Sequence, residues 1–206
     1  MERLIIEELL QWKTSPRRKP LILNGARQVG KTWILKHFGE IHYDNVAYIN
    51  CDKESLAAKL FEDYDVKRII QALEAMTNTQ IVAGKTLIII DEIQEVPRGL
   101  HALKYFAENA PEQHIAVAGS LLGLLLHQGE SFPVGKVNML QMHPMTFLEF
   151  LKAIGEDKIC EQLSNREWSV TNTVHEKIVK HLRMYLYVGG MPEAVKTFAE
   201  SMDYKA

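Results

Sequence analysis

The chain has 206 residues, of which 47% are hydrophobic and 24% charged, and this composition excludes a disordered chain, a collagen and a coiled-coil rod. Its formal net charge of -2 provides no global cationic field that would favour nucleic acid or a membrane surface. Cys51 and Cys160 have neither zinc-site nor disulfide-framework spacing, which predicts that both are reduced packing residues.

No segment has the pattern of a leader or a membrane span. Glu2, Glu7 and Glu8 lie where a signal peptide would carry only positive charge before its apolar run. The longest apolar stretches fall far short of the roughly 18 residues that a bilayer requires. The sequence therefore predicts a cytoplasmic protein with no membrane partner.

The elements are predicted in chain order from hydrophobic periodicity. An amphipathic helix over 2–13 is ended by the segment 15–20, and a strand at 21–23 is followed by a glycine-bounded loop and a helix. The remaining predicted strands are 46–50, 86–91, 114–120 and 134–142, and the helices between them are 55–64, 66–76 and 98–110. The internal strands lack polar alternation, which is typical of strands covered on both faces. Strands alternating with helices then predict an α/β three-layer domain with a parallel sheet. We expect a core domain over 1–155 with its N-terminal helix, and a helical extension over 156–206 that begins a lid or a truncated C-terminal domain.

The strongest motif is GARQVGKT at Gly25–Thr32, which matches GxxxxGK[ST] between a strand and a helix. Glycines at its ends let consecutive N–H groups of Gly25, Ala26, Arg27, Gln28, Val29 and Gly30 form a concavity for phosphate oxygens. Lys31 adds a cation for the β and γ phosphates, and Thr32 offers a hydroxyl to magnesium. The helix N-terminus at Thr32 and Trp33 favours anions as well. The motif predicts a site for ATP and Mg²⁺, since no NKxD element for guanine occurs.

A second candidate pair follows the strand TLIIID. Asp91 and Glu92 stand at its carboxyl end, where ligands bind in open α/β sheets. By themselves, two carboxylates after an apolar run are more often a helix cap or a solvated turn, but after a phosphate loop they indicate chemistry. Asp91 is predicted to hold Mg²⁺ through a bound water, and Glu92 to orient the attacking water of a hydrolysis.

Ser120 ends a further apolar strand and has two interpretations. Its hydroxyl could reach the γ phosphate or the attacking water, or it could cap the segment that follows it. The sequence leaves both open.

The ordered set GARQVGKT, LIIIDEIQEVP, AVAGS, VNMLQMHPMTFLEF and YVGGMPEAV resembles AAA+ ATPases of the AAA_14 type, which are usually fused to a DUF4143 domain. The resemblance covers the chain from about Leu4 onward. It implies an additional strand between the Walker A and Walker B strands, a sensor-like role for Ser120, and the roles given above for Gly25–Thr32, Asp91 and Glu92. It also implies about twice this length, so that the C-terminal domain would be missing.

The sequence departs from this family at two positions that concern the site. Ala118 stands where the family commonly has Thr, and Gly135 is followed by Lys136 where members often read Gly-Arg. A lysine keeps the charge but loses the bidentate fork of arginine.

We predict a magnesium-dependent ATPase with slow hydrolysis that waits for an arginine from a partner, from a second copy of the chain or from the missing domain. The alternatives are a non-enzymatic nucleotide-gated interaction switch and a nucleic-acid-associated ATPase subunit. Nucleic acid has little support from charge, because the run Arg17–Lys19 is short in a net acidic chain. Oligomeric state and the identity of a protein partner stay open.

Overall fold

A computed structural model describes residues 2–54, 56–96, 98–119, 133 and 135–202. Its strands are β1 (Leu21–Gly25), β2 (Asn45–Asn50), β3 (Thr86–Asp91), β4 (His114–Gly119) and β5 (Asn138–Met142). Its helices are α1 (Ile5–Thr14), α2 (Lys31–His42), α3 (Ala57–Leu60), α4 (Val66–Thr77), α5 (Gly99–Asn109), α6 (Phe147–Ala153), α7 (Asp157–Ser164), α8 (Trp168–Thr173), α9 (His175–Val188) and α10 (Pro192–Ser201), with a 3-10 turn at Ile93–Glu95. No helix within these described ranges is long and apolar enough to cross a bilayer.

The five described strands form one sheet in the order β2-β3-β4-β1-β5, and every pair in it is parallel. Ala116 of β4 is paired with Leu21 on one side and with Ile89 on the other. Strand β4 therefore lies between β1, which leads into the glycine-rich loop, and β3, which ends at Asp91. This order confirms the additional strand that the family resemblance implies.

Helices cover both faces of the sheet. Every residue of β3 and β4 is buried, whereas the edge strands β2 and β5 alternate between buried and more exposed positions. On one face, Ile88 and Ile90 pack in a core with side chains of α3, α4 and α5. On the other face, α2 contacts four of the strands and approaches β2 so closely that a Cβ on Gly39 would lie 2.6 Å from Val46 Cγ2. The predicted α/β three-layer architecture with a parallel sheet is confirmed.

The chain divides into two compact units, and the sheet lies wholly in the unit Ile5–Met142. The other unit combines residues 2–4 with 143–202. Within it, Thr146 and Glu149 form a capping box at the start of α6, and the buried pair Arg3 Nε to Glu149 Oε1 spans 3.0 Å. The predicted domain boundary after residue 155, with a helical extension beyond it, stays a prediction.

Some predicted elements have other bounds in the structure. The helix expected at 55–64 is reduced to α3 because the Asp63 carboxylate accepts the backbone N–H of Asp65, and Asp65 in turn caps α4. The last strand begins at Asn138 because Gly135 has a φ of 73° in a turn that Lys136 N closes on the carbonyl of Pro133. The stretch 156–172, where periodicity is weak, contains α7 and most of α8.

Candidate functional site

The loop that joins β1 to α2 lies at the surface of its unit. Ala26, Arg27 and Gln28 are exposed, and only Val29 turns its side chain into the core. Gln28 has a φ of 64° and Gly30 a φ of 93°, so the chain takes left-handed conformations on its way into α2. These conformations let the loop change direction sharply before α2 begins.

Gly25 starts this loop, and no other residue fits its position. Its φ is 154°, and an added Cβ would lie 2.3 Å from the carbonyl oxygen of Met142 at the end of β5. Such a contact is well inside van der Waals distance, and the atom approached is backbone that cannot swing away. The first glycine of the motif thus has a packing role as well as a conformational one.

The N-terminus of α2 is open toward the loop. Gly30 is its N-cap residue, and no side chain caps the helix there. The first turn of a helix presents backbone N–H groups and a partial positive charge, both of which favour an anion. A helix start of this kind after a glycine-rich turn can bind a phosphate group.

Lys31 lies at the base of the loop with 7% of its surface exposed. Its ammonium donates to the carbonyl oxygens of Gly25 and Ala26, both at 2.8 Å. Burial lowers the pKa of Lys31, and the carboxylates of Glu92 and then Asp91 oppose that effect. Since an ammonium has three donors, these two contacts hold it in place and use two of them.

Thr32 and Asp91 bring α2 and β3 together. The Thr32 hydroxyl donates to Asp91 Oδ2 at 2.7 Å, and Asp91 is only 4% exposed. A hydroxyl that donates its proton to a carboxylate keeps its lone pairs for a cation, and both groups are the hard oxygen ligands that Mg²⁺ prefers. The donor set at this position fits a magnesium ion that a bound nucleotide would also hold.

Glu92 is placed by the turn that follows β3. Its backbone is left-handed, with a φ of 51°, and it begins the 3-10 turn Ile93–Glu95. Gln94 Nε2 donates to Glu92 Oε2 at 2.5 Å. Gln94 thus orients the half-buried Glu92 carboxylate, and the charge of Glu92 acts on the Lys31 ammonium, as expected of a group that orients water near bound phosphate.

Sequence reasoning missed two polar neighbours of these carboxylates. One is Gln94, and the other is Tyr48 of β2, whose hydroxyl donates to Asp91 Oδ2 at 3.3 Å. Burial raises the pKa of the Tyr48 phenol, so the group stays protonated and serves as a donor. Gln94 could have been suspected from its closeness to Glu92 in the chain, but the partner of Tyr48 depends on strand register, which no local motif carries.

The remaining predicted site residues have distinct positions. Trp33, 49% exposed, stacks on His37 with ring centroids 4.7 Å apart, next to the loop. Ser120 lies outside the described residues. Cys51 and Cys160 are buried and free, as predicted, and burial raises the pKa of the Cys51 thiol to about 12.

The basic run before β1 is engaged within the protein. The Arg18 guanidinium donates to the carbonyl of Pro111 at 3.1 Å, and the Lys19 ammonium donates to that of Gly135 at 2.5 Å. Side chains used in this way fix the turn between α1 and β1. This arrangement gives a structural reason for part of the run and adds no support for a nucleic-acid surface.

A comparison with protein families decides the affiliation of the chain. The AAA domain family AAA_14 matches residues 17–151, which include the glycine-rich loop and the five described strands of the sheet. The chain belongs to this AAA domain family. Its AAA domain therefore has an ATP-binding, ATPase-like fold. No curated protein matches the chain.

The same fold is seen in a solved structure with a TM-score above 0.5. Drosophila ORC bound to DNA is 14% identical, with a TM-score of 0.55, and the match covers 93% of this chain and 58% of that one. Aeropyrum pernix ORC1 in complex with DNA is 16% identical with a TM-score of 0.43, covering 72% and 45% of the two chains. PCH-2 of C. elegans is 13% identical with a TM-score of 0.43, covering 78% and 46%. The chain thus spans about half the length of the solved structures it matches.

Proposed function

We propose that this AAA domain binds ATP with magnesium and hydrolyses it slowly, under the control of a partner group that completes the site. The observation that carries the proposal is the contact between the Thr32 hydroxyl and Asp91 Oδ2 at 2.7 Å, directly beside an exposed glycine-rich loop with Lys31 at its base. A cation, a hydroxyl and two carboxylates then converge where the loop and the α2 N-terminus favour an anion.

The binding step follows from the loop and the start of α2. Backbone N–H groups of 25–30 and the Lys31 ammonium neutralise the charge of the β and γ phosphates. Trp33 stands at the rim, where its exposed ring can flank the nucleotide. Loop carbonyls fix the ammonium before any ligand arrives, so little reorganisation is needed on binding.

The chemical step rests on positioning and charge neutralisation, as phosphoryl transfer generally does. Magnesium, when bound with ATP, neutralises charge on the phosphate oxygens. Thr32 and Asp91 would hold it, the latter through water. Glu92, held by Gln94, orients and polarises the attacking water. Ser120 is retained as a candidate contact to the γ phosphate or that water.

A slow basal rate is part of the proposal. A hydrolase of this class that lacks an arginine opposite the γ phosphate turns over slowly until a partner supplies one. We place the completing group on a second copy of the chain, on another protein or in a further domain beyond a core that ends near residue 155. In a second copy, Arg68 and Arg98 would first have to leave their partners, the Asp63 carboxylate and the carbonyl of Glu62.

Steady-state phosphate release tests the hydrolytic assignment. Glu92→Gln should lower the rate by about 100-fold or more, because a positioned general base contributes on that order. Glu40→Gln is the control, since this exposed carboxylate lies near the C-terminal end of α2, and its rate should stay close to that of the wild type.

The same assay separates hydrolysis from a nucleotide-gated switch. If the wild type binds ATP but releases phosphate no faster than Glu92→Gln, the domain works as a switch and not as an enzyme. A wild type that fails to bind ATP would contradict both assignments.

A further inference from the structure

Tyr48 lies at the junction of three elements, and the family motifs do not include it. Its hydroxyl is 3.3 Å from Asp91 Oδ2 on β3, and Asn50 Nδ2 donates to that hydroxyl at 3.4 Å. The Lys36 ammonium of α2 stands 3.4 Å from the centroid of the Tyr48 ring. The half-buried phenol is thus fixed at both its hydroxyl and its ring face.

The geometry of α2 and the sheet produces this arrangement. Tyr48 is paired with Ile89, and Asn50 with Asp91, so that all four side chains share the sheet face covered by α2. Thr32 and Lys36 are four residues apart on α2 and therefore lie on one side of the helix. Thr32 meets Asp91 while Lys36 covers the ring of Tyr48.

Three donors within the described part of the chain hold the Asp91 carboxylate. Oδ2 accepts the hydroxyls of Thr32 and Tyr48, and Oδ1 accepts the backbone N–H of Glu92 at 3.2 Å. The carboxylate is only 4% exposed, and the directions of these three donors fix its rotation. Tyr48 is the one donor of the three that comes from neither α2 nor β3 and its turn.

We propose that Tyr48 is a positioning residue that holds the Asp91 carboxylate in the orientation it needs toward magnesium, an inference that rests on the proposed function. Among the residues that the structure describes, removal of the Tyr48 hydroxyl leaves Oδ2 with the Thr32 hydroxyl alone, so Asp91 gains rotational freedom. The affinity for ATP in the presence of magnesium then falls, whereas the affinity for ATP alone, which the loop and Lys31 determine, does not.

Calorimetric titration of a non-hydrolysable ATP analogue, in EDTA and at a series of magnesium concentrations, tests this inference. Tyr48→Phe keeps the ring beneath Lys36 and removes one oxygen. It should raise the magnesium concentration for half-maximal enhancement by about 3- to 10-fold, the effect of one hydrogen bond, with unchanged affinity in EDTA. Tyr43→Phe is the matched control, because its hydroxyl bonds His114 Nδ1 at 2.7 Å at the amino end of the sheet, away from Asp91. Its titrations should equal those of the wild type.

Each outcome decides a different claim. If the affinity of Tyr48→Phe falls equally with and without magnesium, or does not change at all, the positioning role is overturned while the proposed function stands. If the wild type shows no magnesium enhancement, the proposed function fails and the inference with it.

Lys36→Met provides a second test of the inference should Tyr48→Phe fold poorly. It keeps the phenol but removes the cation over its ring, and should shift the magnesium dependence in the same direction by a smaller factor. A Lys36→Met variant with wild-type magnesium dependence would overturn the inference.

Discussion

The two ends of the parallel sheet contain similar residues, but polar groups are accessible to a ligand at the carboxyl end and are bonded within the protein at the amino end. At the amino end, the Tyr43 hydroxyl bonds His114 Nδ1 at 2.7 Å and the Lys13 ammonium stands 4.4 Å from the Tyr43 ring centroid. At the carboxyl end, the Tyr48 hydroxyl meets Asp91 and Lys36 covers its ring. Each end therefore combines a tyrosine, a lysine and a buried titratable group.

The difference lies in the partners of the charged groups. At the amino end, the Lys13 ammonium also donates to the carbonyl of His42, and Trp12 packs edge-on against His114. Burial lowers the pKa of His114 to about 4, so its ring is neutral near pH 7. At the carboxyl end, a charged carboxylate and ammonium lie beside an exposed loop and an uncapped helix N-terminus. A lysine ammonium over a tyrosine ring therefore does not by itself indicate a binding site. What distinguishes the carboxyl end is the exposed loop and the uncapped helix N-terminus beside the pair.

The contrast between the two ends depends most strongly on Lys31, which should be essential for ATP binding. We expect Lys31→Ala to weaken ATP binding by at least about 100-fold, because a charge-assisted contact to phosphate is lost in a partly desolvated site. Isothermal titration measures the change. Lys85→Ala is the control from the amino end, where the ammonium lies 3.9 Å from the exposed carboxylate of Asp44. Its affinity should match the wild type, and equal losses in both variants would contradict the distinction between the ends.

The glycines at the two ends sharpen the same comparison. Gly25→Ala should lower the free energy of unfolding by about 3 kcal/mol, because the new Cβ meets the carbonyl of Met142 in addition to an unfavourable φ. Gly84 precedes β3 with a φ of 72° and no atom within 4 Å of an added Cβ. Gly84→Ala should therefore cost only about 1 kcal/mol, the conformational part alone. Urea unfolding gives both values, and equal costs would show that the contact with Met142 is unimportant.

The fold class and the phosphate loop could be predicted from the sequence because both depend on local signals. Strand β3 is a nearly continuous apolar run before Asp91, and the spacing of Gly25, Gly30 and Lys31 by itself predicts phosphate binding. Strand order did not follow from periodicity, and only the family resemblance implied that β4 lies between β1 and β3. Placement of one strand between two others is a property of long-range pairing that a local pattern does not encode.

Side-chain partners were harder to predict than elements. Tyr48 reaches Asp91 only because β2 pairs with β3 in one register, and a shift by a single residue would turn it to the opposite face. Similarly, Arg18 and Lys19 resemble a solvated basic run in the sequence, yet in the structure they bond carbonyls of distant loops. The chemistry of individual residues could be inferred, but contacts between distant segments could not.

The pH dependence of stability tests whether the His114 ring at the amino end is shielded from solvent. Its folded-state pKa lies near 4 and its ordinary value is 6.5, so the unfolded chain binds a proton in this interval while the folded chain does not. Stability is therefore lost as the pH falls from about 6.5 toward 4. Between pH 7 and pH 4.5, the wild type should lose about 2 kcal/mol more unfolding free energy than His114→Gln. Urea unfolding followed by tryptophan fluorescence measures the difference. His175→Gln, which removes an exposed ring, should keep the wild-type slope. Parallel slopes for the wild type and His114→Gln would mean that solvent reaches the ring.

Asp91 gives the last and smallest test, at the carboxyl end. Asp91→Asn keeps the shape of the side chain but removes its charge, and an amide is a far poorer partner for a magnesium-bound water than a carboxylate. Because Lys31 and the loop are untouched, affinity for ATP in EDTA should stay near that of the wild type, while the magnesium requirement rises by about 10-fold. Loss of this carboxylate also removes a small part of the field that offsets burial of the Lys31 ammonium, and this slightly lowers the affinity for ATP. That effect would appear in EDTA and in magnesium alike, so the ratio of the two affinities isolates the contribution of the metal. A ratio equal to that of the wild type would exclude Asp91 from the magnesium site and leave the carboxyl end as an anion site alone.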